Sequence, residues 1–410
     1  MGSRVLLQGH NSSEYIATLA AANRLGLTCC LVDPKLPESS VADYAARTES
    51  VITLNLQSTA KVTPFELNDT RASVSEAPHT IDLEANSVVV FTSGSSGTPK
   101  GVILTIRNIL SNAEASNKNT NLGTGDTWLA SLPFHHVGGL GIIYRCALAG
   151  ATIRIPSYVS ISAVSSELGN ASHFSMVPTM LREILKSNRT LPSNIKCILL
   201  GGEPIMEDLV MEVMSRDLPV LSSYGMSETA SHITSTRLTD PKDKIRSVGR
   251  PLGNNSVKVI NGCVAFKGES LSPGYLDIPL PTEPGGAFLT KDAGYIDEAG
   301  YLYITGRTDS VFISGGEKID PREIEATALS HPGVEVAACI SVEDSKWGYR
   351  PKLFVEGQIE SIDLLLEHLA KKLPRFKVPN EITILEKIPR TALGKIDYST
   401  LRKISQLLLN

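Results

Sequence analysis

Ser87-Val-Val-Val-Phe-Thr92-Ser93-Gly94-Ser95-Ser96-Gly97-Thr98-Pro99-Lys100-Gly101 runs an unbroken apolar segment into a loop of Gly, Ser and Thr. A short continuous apolar run bounded by turn residues suits a strand covered on both faces. The loop's small residues let backbone N–H groups approach an anion closely, and its hydroxyls add donors, so it reads as a phosphate cradle. It is not a Walker A loop, because no G-x-x-x-x-G-K-[ST] pattern is present. Similar apolar runs recur at Leu27 to Val32, Ala151 to Ile155, Ile195 to Leu200 and Val220 to Ser222. Helical patterns lie at Ser12 to Arg24, Val177 to Lys186 and Met206 to Ser215. Short strands alternating with helices predict an α/β fold with largely parallel sheets.

Composition narrows the function classes. The chain has 410 residues, room for roughly two or three domains at about 150 residues each. With 42% hydrophobic and 20% charged residues it can fill a large core, which excludes a disordered or collagen-like chain. A net charge of −4 offers no basic field for nucleic acid or an anionic membrane. The longest apolar candidate, Gly139 to Ile155, is interrupted by Arg145 and Arg154, so no membrane span is expected, and no secretory apolar core is visible. The cysteines Cys29, Cys30, Cys146, Cys197, Cys263 and Cys339 form no CxxC pair. They read as reduced core thiols of a cytoplasmic protein.

After about residue 245 the texture becomes β-rich. Val257 to Lys267, Gly286 to Leu289 and Gly294 to Thr305 read as hairpins, the last turning at Asp297-Glu298-Ala299-Gly300. A smaller unit follows, with helices at Pro321 to Ser330 and Ile362 to Leu373. Its strands are expected at Val336 to Val342, Lys352 to Glu356 and Glu381 to Leu385. The boundary falls near Arg307 to Ser310. The expected architecture is therefore a large N-terminal domain, residues 1–308, of mixed and parallel sheets with helices plus a β-rich subdomain. A small mobile α+β lid domain, residues 309–410, follows it.

Thr92 to Gly101 resembles, at every position, the signature loop of the adenylate-forming (acyl-CoA synthetase, AMP-binding) enzymes. Further motifs of that family follow in order over roughly Leu27 to Asp397. The resemblance implies that Thr92, Ser93, Gly94, Ser95, Ser96, Gly97, Thr98 and Lys100 bind the phosphates of ATP. Gly201-Gly202-Glu203 and Ser223-Tyr224-Gly225-Met226-Ser227-Glu228-Thr229 follow apolar runs, where ligands of open α/β sheets bind. The resemblance gives Tyr224 the adenine, Glu228 the Mg²⁺ ion and Thr229 the α-phosphate. Asp292 matches the Asp that binds the ribose hydroxyls, although Lys291 stands where the family has Gly. Arg307 also matches a ribose contact, and Asp309 the hinge. Gly315 and Gly316 resemble the lining of a thiol tunnel, with Lys318 replacing a common Asn, and Trp347 is a candidate for stacking on the adenine of CoA. Lys395 matches the family lysine that stabilises charge during adenylation.

The implied reaction has two halves. A carboxylate attacks the α-phosphate of Mg·ATP, and a thiol then attacks the acyl-adenylate. ATP, Mg²⁺ and coenzyme A are the implied cofactors and co-substrates, and an aromatic or acyl carboxylate is the small-molecule partner. His136 matches a family histidine near the reacting carboxylate. Gly138, Gly139, Arg145 and His232 complete the expected acid side, with Arg145 or His232 holding a second carboxylate or an aryl ketone. No aspartate stands in this neighbourhood for an amino-acid amine. Other readings are a CoA ligase for another aryl or short- to medium-chain acid, and a relative that only binds acyl-adenylate or loads a carrier protein. Oligomeric state, a homodimer included, is left open.

Overall fold

The computed structural model describes residues 3–56, 81–92, 99–187, 191–308, 310–391 and 394–408. It divides into two compact units. The first holds Met1–Lys258, Ala265–Leu289 and Ile296–Tyr303, and the second holds Val259–Val264, Thr290–Tyr295 and Ile304–Asn410.

The first unit is built on two sheets. One has six strands, in the order Gly274–Tyr275, Lys100–Thr105, Asn86–Thr92, Thr28–Val32, Arg4–Gln8 and Ser50–Asn55. Its inner strands are parallel, whereas Lys100–Thr105 returns antiparallel to Asn86–Thr92, with Thr92 opposite Lys100. The apolar strand of the quoted sequence is therefore followed by a second strand, and the next helix begins only at Ile106. Alternation along this strand is strict. Val88 and Val90 face a cluster with Leu7, Tyr15, Leu104 and Phe134, while Val89 faces Leu6, Cys30 and Val32. Each such burial is worth roughly 1.5–3 kcal/mol, which is why a run without polar residues forms here.

The second sheet has seven strands: Arg250–Pro251, Ser231–Ser235, Val220–Met226, Cys197–Leu200, His173–Met176, Thr127–Leu129 and Thr152–Arg154. Those from Val220–Met226 to Thr152–Arg154 are parallel. The expected α/β class with largely parallel sheets is the observed one. The helix Ser13–Arg24 starts where expected, because Ser12 accepts the Tyr15 N–H at 3.1 Å. The expected hairpin at Gly294 to Thr305 is present, strand Ala287–Ile296 turning back into Leu302–Arg307, and Gly286 to Leu289 opens that same strand where it pairs antiparallel with Thr282–Glu283. Alternating burial carries that strand across Lys291, where no turn residue forces a break. The turn at Asp297 to Gly300 is present, with Gly300 at φ +84° and its N–H on the Asp297 carbonyl at 2.9 Å.

All six cysteines are free. Among the described residues no helix is long and apolar enough to cross a membrane.

The second unit carries a three-stranded sheet, Val334–Asp344, Gly348–Gly357 and Glu381–Ile384 in that order. Helices Pro321–Leu329 and Ile362–Lys372 cover the face of Leu353 and Val355, and Leu401 of helix Tyr398–Leu407 packs with Phe354 on the other. Between them Glu325 Oε1 accepts the Cys339 N–H at 2.7 Å and the Tyr398 hydroxyl at 2.9 Å. Burial raises this carboxyl from 4.5 to about 7. Below pH 4.5 both folded and unfolded chains hold the proton. As pH rises from 4.5 to 7 only the unfolded chain gives it up, so stability falls through that window and is flat above it. The full cost is about 3 kcal/mol. Glu325→Gln keeps both hydrogen bonds and cannot ionise. Calorimetry on the full chain is expected to show the second unit's transition in this variant matching the wild type at pH 4.5 and exceeding it at pH 8. An equal gap at both values would mean that folding leaves the proton affinity of Glu325 unchanged.

Candidate functional site

In the first unit the expected nucleotide loops lie at the carboxyl ends of Cys197–Leu200 and Val220–Met226. Ser223 Oγ donates to the Leu200 carbonyl at 2.8 Å and would be 2.7 Å from a Cβ on Gly201, so the two loops are held against each other. Glu203 accepts the Thr179 hydroxyl at 2.8 Å at the start of helix Pro178–Lys186, where a carboxylate also meets the helix dipole. Tyr224 is half-buried and stacks on Phe266, with ring centroids 5.6 Å apart. A Cβ on Gly225 would sit 1.9 Å from the Ser231 carbonyl oxygen, so only glycine fits at this bulge.

The short helix Ser227–Thr229 then carries Glu228 to a half-buried position. Glu228 Oε1 accepts the Tyr275 hydroxyl at 2.9 Å, and its carbonyl accepts the Ser272 N–H at 2.8 Å. Burial and the facing Glu228 charge raise the Tyr275 phenol well above its usual range, so it remains a donor. Thr229 is fully buried, and its hydroxyl is committed to the loop, 2.7 Å from the Ser231 carbonyl and accepting the Met226 N–H at 3.0 Å. Ala230 at φ +59° and Ser231 at φ +154° follow, two non-glycine residues in sparsely populated backbone. Such conformations cost about 1–3 kcal/mol each and survive only where the surroundings fix them. Helix Ile106–Thr120 supplies that fixing. Asn112 Nδ2 donates to the Thr229 and His232 carbonyls, and Asn108 Nδ2 to those of Glu269 and Leu271.

Thr92 ends its strand opposite Lys100, whose Nζ lies 5.3 Å from the Tyr275 ring centroid. Ser93, Gly94, Ser95, Ser96, Gly97 and Thr98 lie outside the described residues.

On the expected acid side, His136 precedes helix Val137–Ala149 and its ring lies 4.2 Å from that of His135. Burial, with His10 and Lys35 nearby, lowers His135 to about 4, so it is neutral at pH 7. Gly139 is a packing position, since a Cβ would meet the Pro133 oxygen at 2.1 Å, and Gly138 abuts Leu132. Arg145 is 1% exposed. Its Nη2 donates to Ser231 Oγ at 3.0 Å, lies 3.2 Å from His232 Nδ1, and would clash with a Cβ on Gly141. The guanidinium carbon is 5.3 Å from the centre of the Trp128 ring. No carboxylate pairs with Arg145 among the described residues, and Arg145 Nε and His232 Nε2 are buried without partners. Burial lowers Arg145 to about 10 and His232 well below its usual value.

In the second unit Asp292 is buried and pairs with Arg307 at 3.1 Å, which brings the two expected ribose residues together. Lys291 is exposed in regular strand, so the missing family glycine leaves the backbone path intact. Gly315 at φ +57° and Gly316 at φ +91° form the two-residue turn between Phe312–Ser314 and Glu317–Ile319. The Trp347 ring lies on this turn, 2.5 Å from any Cβ on Gly315, and is 45% exposed. Lys318 is exposed on the return strand. Lys395 follows Gly394, at φ +82°, and its carbonyl accepts the Thr391 N–H at 2.7 Å. Asp309 lies outside the described residues.

Tyr275, Ser231, Trp128 and the asparagines of helix Ile106–Thr120 were not singled out in the sequence. Only the spacing of Asn108, Asn112 and Asn119 on one helix face could have flagged any of them. No group of three His, Cys, Asp or Glu among the described residues could hold a metal ion. Mg²⁺ is commonly held by one or two carboxylates with substrate phosphates and water, and Glu228 fits that mode.

Loops at the carboxyl ends of parallel strands stand where open α/β proteins bind their ligands, which marks an α/β ligand-binding fold. The chain belongs to the AMP-binding enzyme family, whose model matches residues 1–276, and the AMP-binding enzyme C-terminal domain matches residues 323–395. It is 33% identical to 2-succinylbenzoate–CoA ligase of Listeria monocytogenes, over 97% of this chain and 88% of the relative. Among solved structures it resembles o-succinylbenzoate CoA synthetase of Bacillus subtilis in complex with its acyl-adenylate intermediate. The TM-score is 0.84 and the identity 28%, covering 98% of this chain and 88% of that one. The same enzyme with ATP and magnesium ion matches at TM-score 0.84 and 26% identity, over 98% and 89% of the two chains.

Proposed function

We propose that this chain is an AMP-forming acid–thiol ligase that converts 2-succinylbenzoate to its CoA thioester. In the first half-reaction a carboxylate oxygen attacks the α-phosphorus of ATP and the bond to pyrophosphate breaks. In the second, the CoA sulfur attacks the acyl carbon, its proton is lost, and AMP leaves. Catalysis is positioning and charge stabilisation, with no protein nucleophile.

We assign Tyr224 with Phe266 to the adenine, and Asp292 with Arg307 to the ribose hydroxyls. The phosphates fall to Thr92, Lys100 and residues 93–98, with the loops Gly201 to Glu203 and Ser223 to Thr229 around the nucleotide. Glu228 holds Mg²⁺, which neutralises phosphate charge when bound. With the Thr229 hydroxyl engaged inside its loop, contact with the α-phosphate requires that loop to shift. His136, Gly138, Gly139, Arg145 and His232 line the acid side, and Lys395 serves adenylation. Gly315, Gly316 and Trp347 serve CoA. Residues 1–308 as the adenylation part, residues 309–410 as the lid and Asp309 as the hinge belong to the same proposal, as does a cytoplasmic setting.

The observation that carries the choice of acid is Arg145, a buried cation without a carboxylate among the described residues, beside Ser231 and His232. Burying an ion costs several kcal/mol unless a partner offsets it, and a dicarboxylate brings that partner. The test is pyrophosphate release with Mg·ATP and CoA against 2-succinylbenzoate, benzoate, a coumarate, a medium-chain fatty acid and several amino acids. Strong preference for 2-succinylbenzoate with a thioester product is expected. Turnover of another acid alone overturns the substrate, and turnover that needs a carrier protein in place of CoA overturns the thiol.

A further inference from the structure

The segment from Glu269 to Tyr275 belongs to none of the sequence motifs, yet it touches two charged groups of the candidate site. Tyr275 sits on the edge strand Gly274–Tyr275, opposite Val102 of Lys100–Thr105. From there its hydroxyl donates to Glu228 Oε1 at 2.9 Å, and its ring faces Lys100 Nζ at 5.3 Å from the centroid. The main chain repeats the linkage. Ser272 N–H donates to the Glu228 carbonyl at 2.8 Å, and Leu276 N–H to the Gly101 carbonyl at 2.9 Å. Ser272 Oγ also donates to the Ile103 carbonyl at 2.6 Å. Asn108 pins the start of the segment, and Asn112, one helical turn on, pins the loop of Glu228.

We propose that Tyr275 is a positioning residue for the adenylation half-reaction, fixing one oxygen of Glu228 so that the other is presented to a divalent cation, and holding Lys100 apart from Glu228. This rests on Glu228 being the Mg²⁺ ligand. A lysine and a carboxylate this near to one ring would otherwise close on each other, and each would be lost to the nucleotide. The phenol satisfies both differently. Its hydroxyl gives the carboxylate a charge-assisted hydrogen bond, and its face gives the ammonium a weak cation–π contact that phosphate oxygens can displace. Neither Lys100 nor Glu228 forms an ion pair among the described residues.

Tyr275→Phe keeps the ring and removes the tether. The variant is expected to need about tenfold more Mg²⁺ for half-maximal pyrophosphate release, the usual worth of a hydrogen bond to a charged group. A second readout does not depend on turnover. Mn²⁺ is titrated into the full chain with a non-hydrolysable ATP analogue, and binding is followed by loss of the free-Mn²⁺ paramagnetic resonance signal. About tenfold weaker Mn²⁺ binding is expected, while thioester formation from preformed acyl-adenylate stays at the wild-type rate. Glu228→Gln runs beside it. Weakened Mn²⁺ binding in Glu228→Gln but not in Tyr275→Phe overturns the role of Tyr275 alone. Unchanged binding in both overturns the assignment of Glu228 and the proposal with it. An equal loss of both half-reactions in Tyr275→Phe would make the residue structural, which also overturns the proposal.

Discussion

Replacing Lys395 with Gln is expected to slow pyrophosphate release by about 10²–10³-fold, the range seen when one preorganised charge-stabilising donor is removed. Thioester formation from preformed acyl-adenylate and CoA should change little. The asymmetry follows from where charge develops. In adenylation negative charge gathers on the oxygens around the α-phosphorus, and a cation answers it directly. In thioester formation the α-phosphate leaves as AMP and the acyl oxygens carry the change. Lys395 is mounted for such a task. Arg390 Nη1 donates to the Gly394 carbonyl at 2.8 Å, and the Gly394 N–H returns to the Thr391 carbonyl at 2.8 Å. On the far side Asp397 caps the helix Tyr398–Leu407 by accepting the Ser399 and Thr400 N–H groups. The turn is thus fixed at both feet, so losing the charge should not disturb its path. The measurement is the two half-reactions followed separately. Equal slowing of both would remove Lys395 from a role specific to adenylation.

The sequence was most legible where one residue type has one physical use. The run from Val88 to Phe91 could only be a covered strand, and its alternation between two clusters follows from strand geometry. Asp292 and Arg307 were assigned to one ligand group from separate motifs, and the structure pairs them at 3.1 Å. Legibility failed where a residue acts through tertiary neighbours. Gly139 also has a packing reason that no motif announces, the Pro133 carbonyl 2.1 Å from where a Cβ would stand. Tyr275 sits in a two-residue strand, too short for any periodicity to announce it. The turn at Asp297 to Gly300 was legible from its residues, whereas the single strand Ala287–Ile296 that leads into it was read as the ends of two separate hairpins, because only pairing with its neighbours joins them.

Arg145→Met is expected to raise the Michaelis constant for 2-succinylbenzoate by about a hundredfold while leaving the melting temperature unchanged or higher. The two effects have opposite signs for one reason. A guanidinium 1% exposed has lost its hydration, and what replaces it is Ser231 Oγ, His232 Nδ1 and the Trp128 face, none of them charged. The lowering of Arg145 to about 10 records the same cost. Methionine follows a similar path through the core, keeps a sulfur contact with the Trp128 ring and carries no charge to desolvate. Its loss leaves one hydroxyl and one imidazole nitrogen unpaired, about 1–3 kcal/mol, which the removed desolvation offsets. Binding loses more, because the second carboxylate of the substrate then enters a buried site with no cation, and such a truncation costs about 2–5 kcal/mol. The decisive comparison uses 4-oxo-4-phenylbutanoate, which lacks the ring carboxylate. The wild type should discriminate strongly against it, and Arg145→Met should treat the two acids nearly alike. Discrimination that survives the substitution would place the recognition of the second carboxylate on another residue, His232 first.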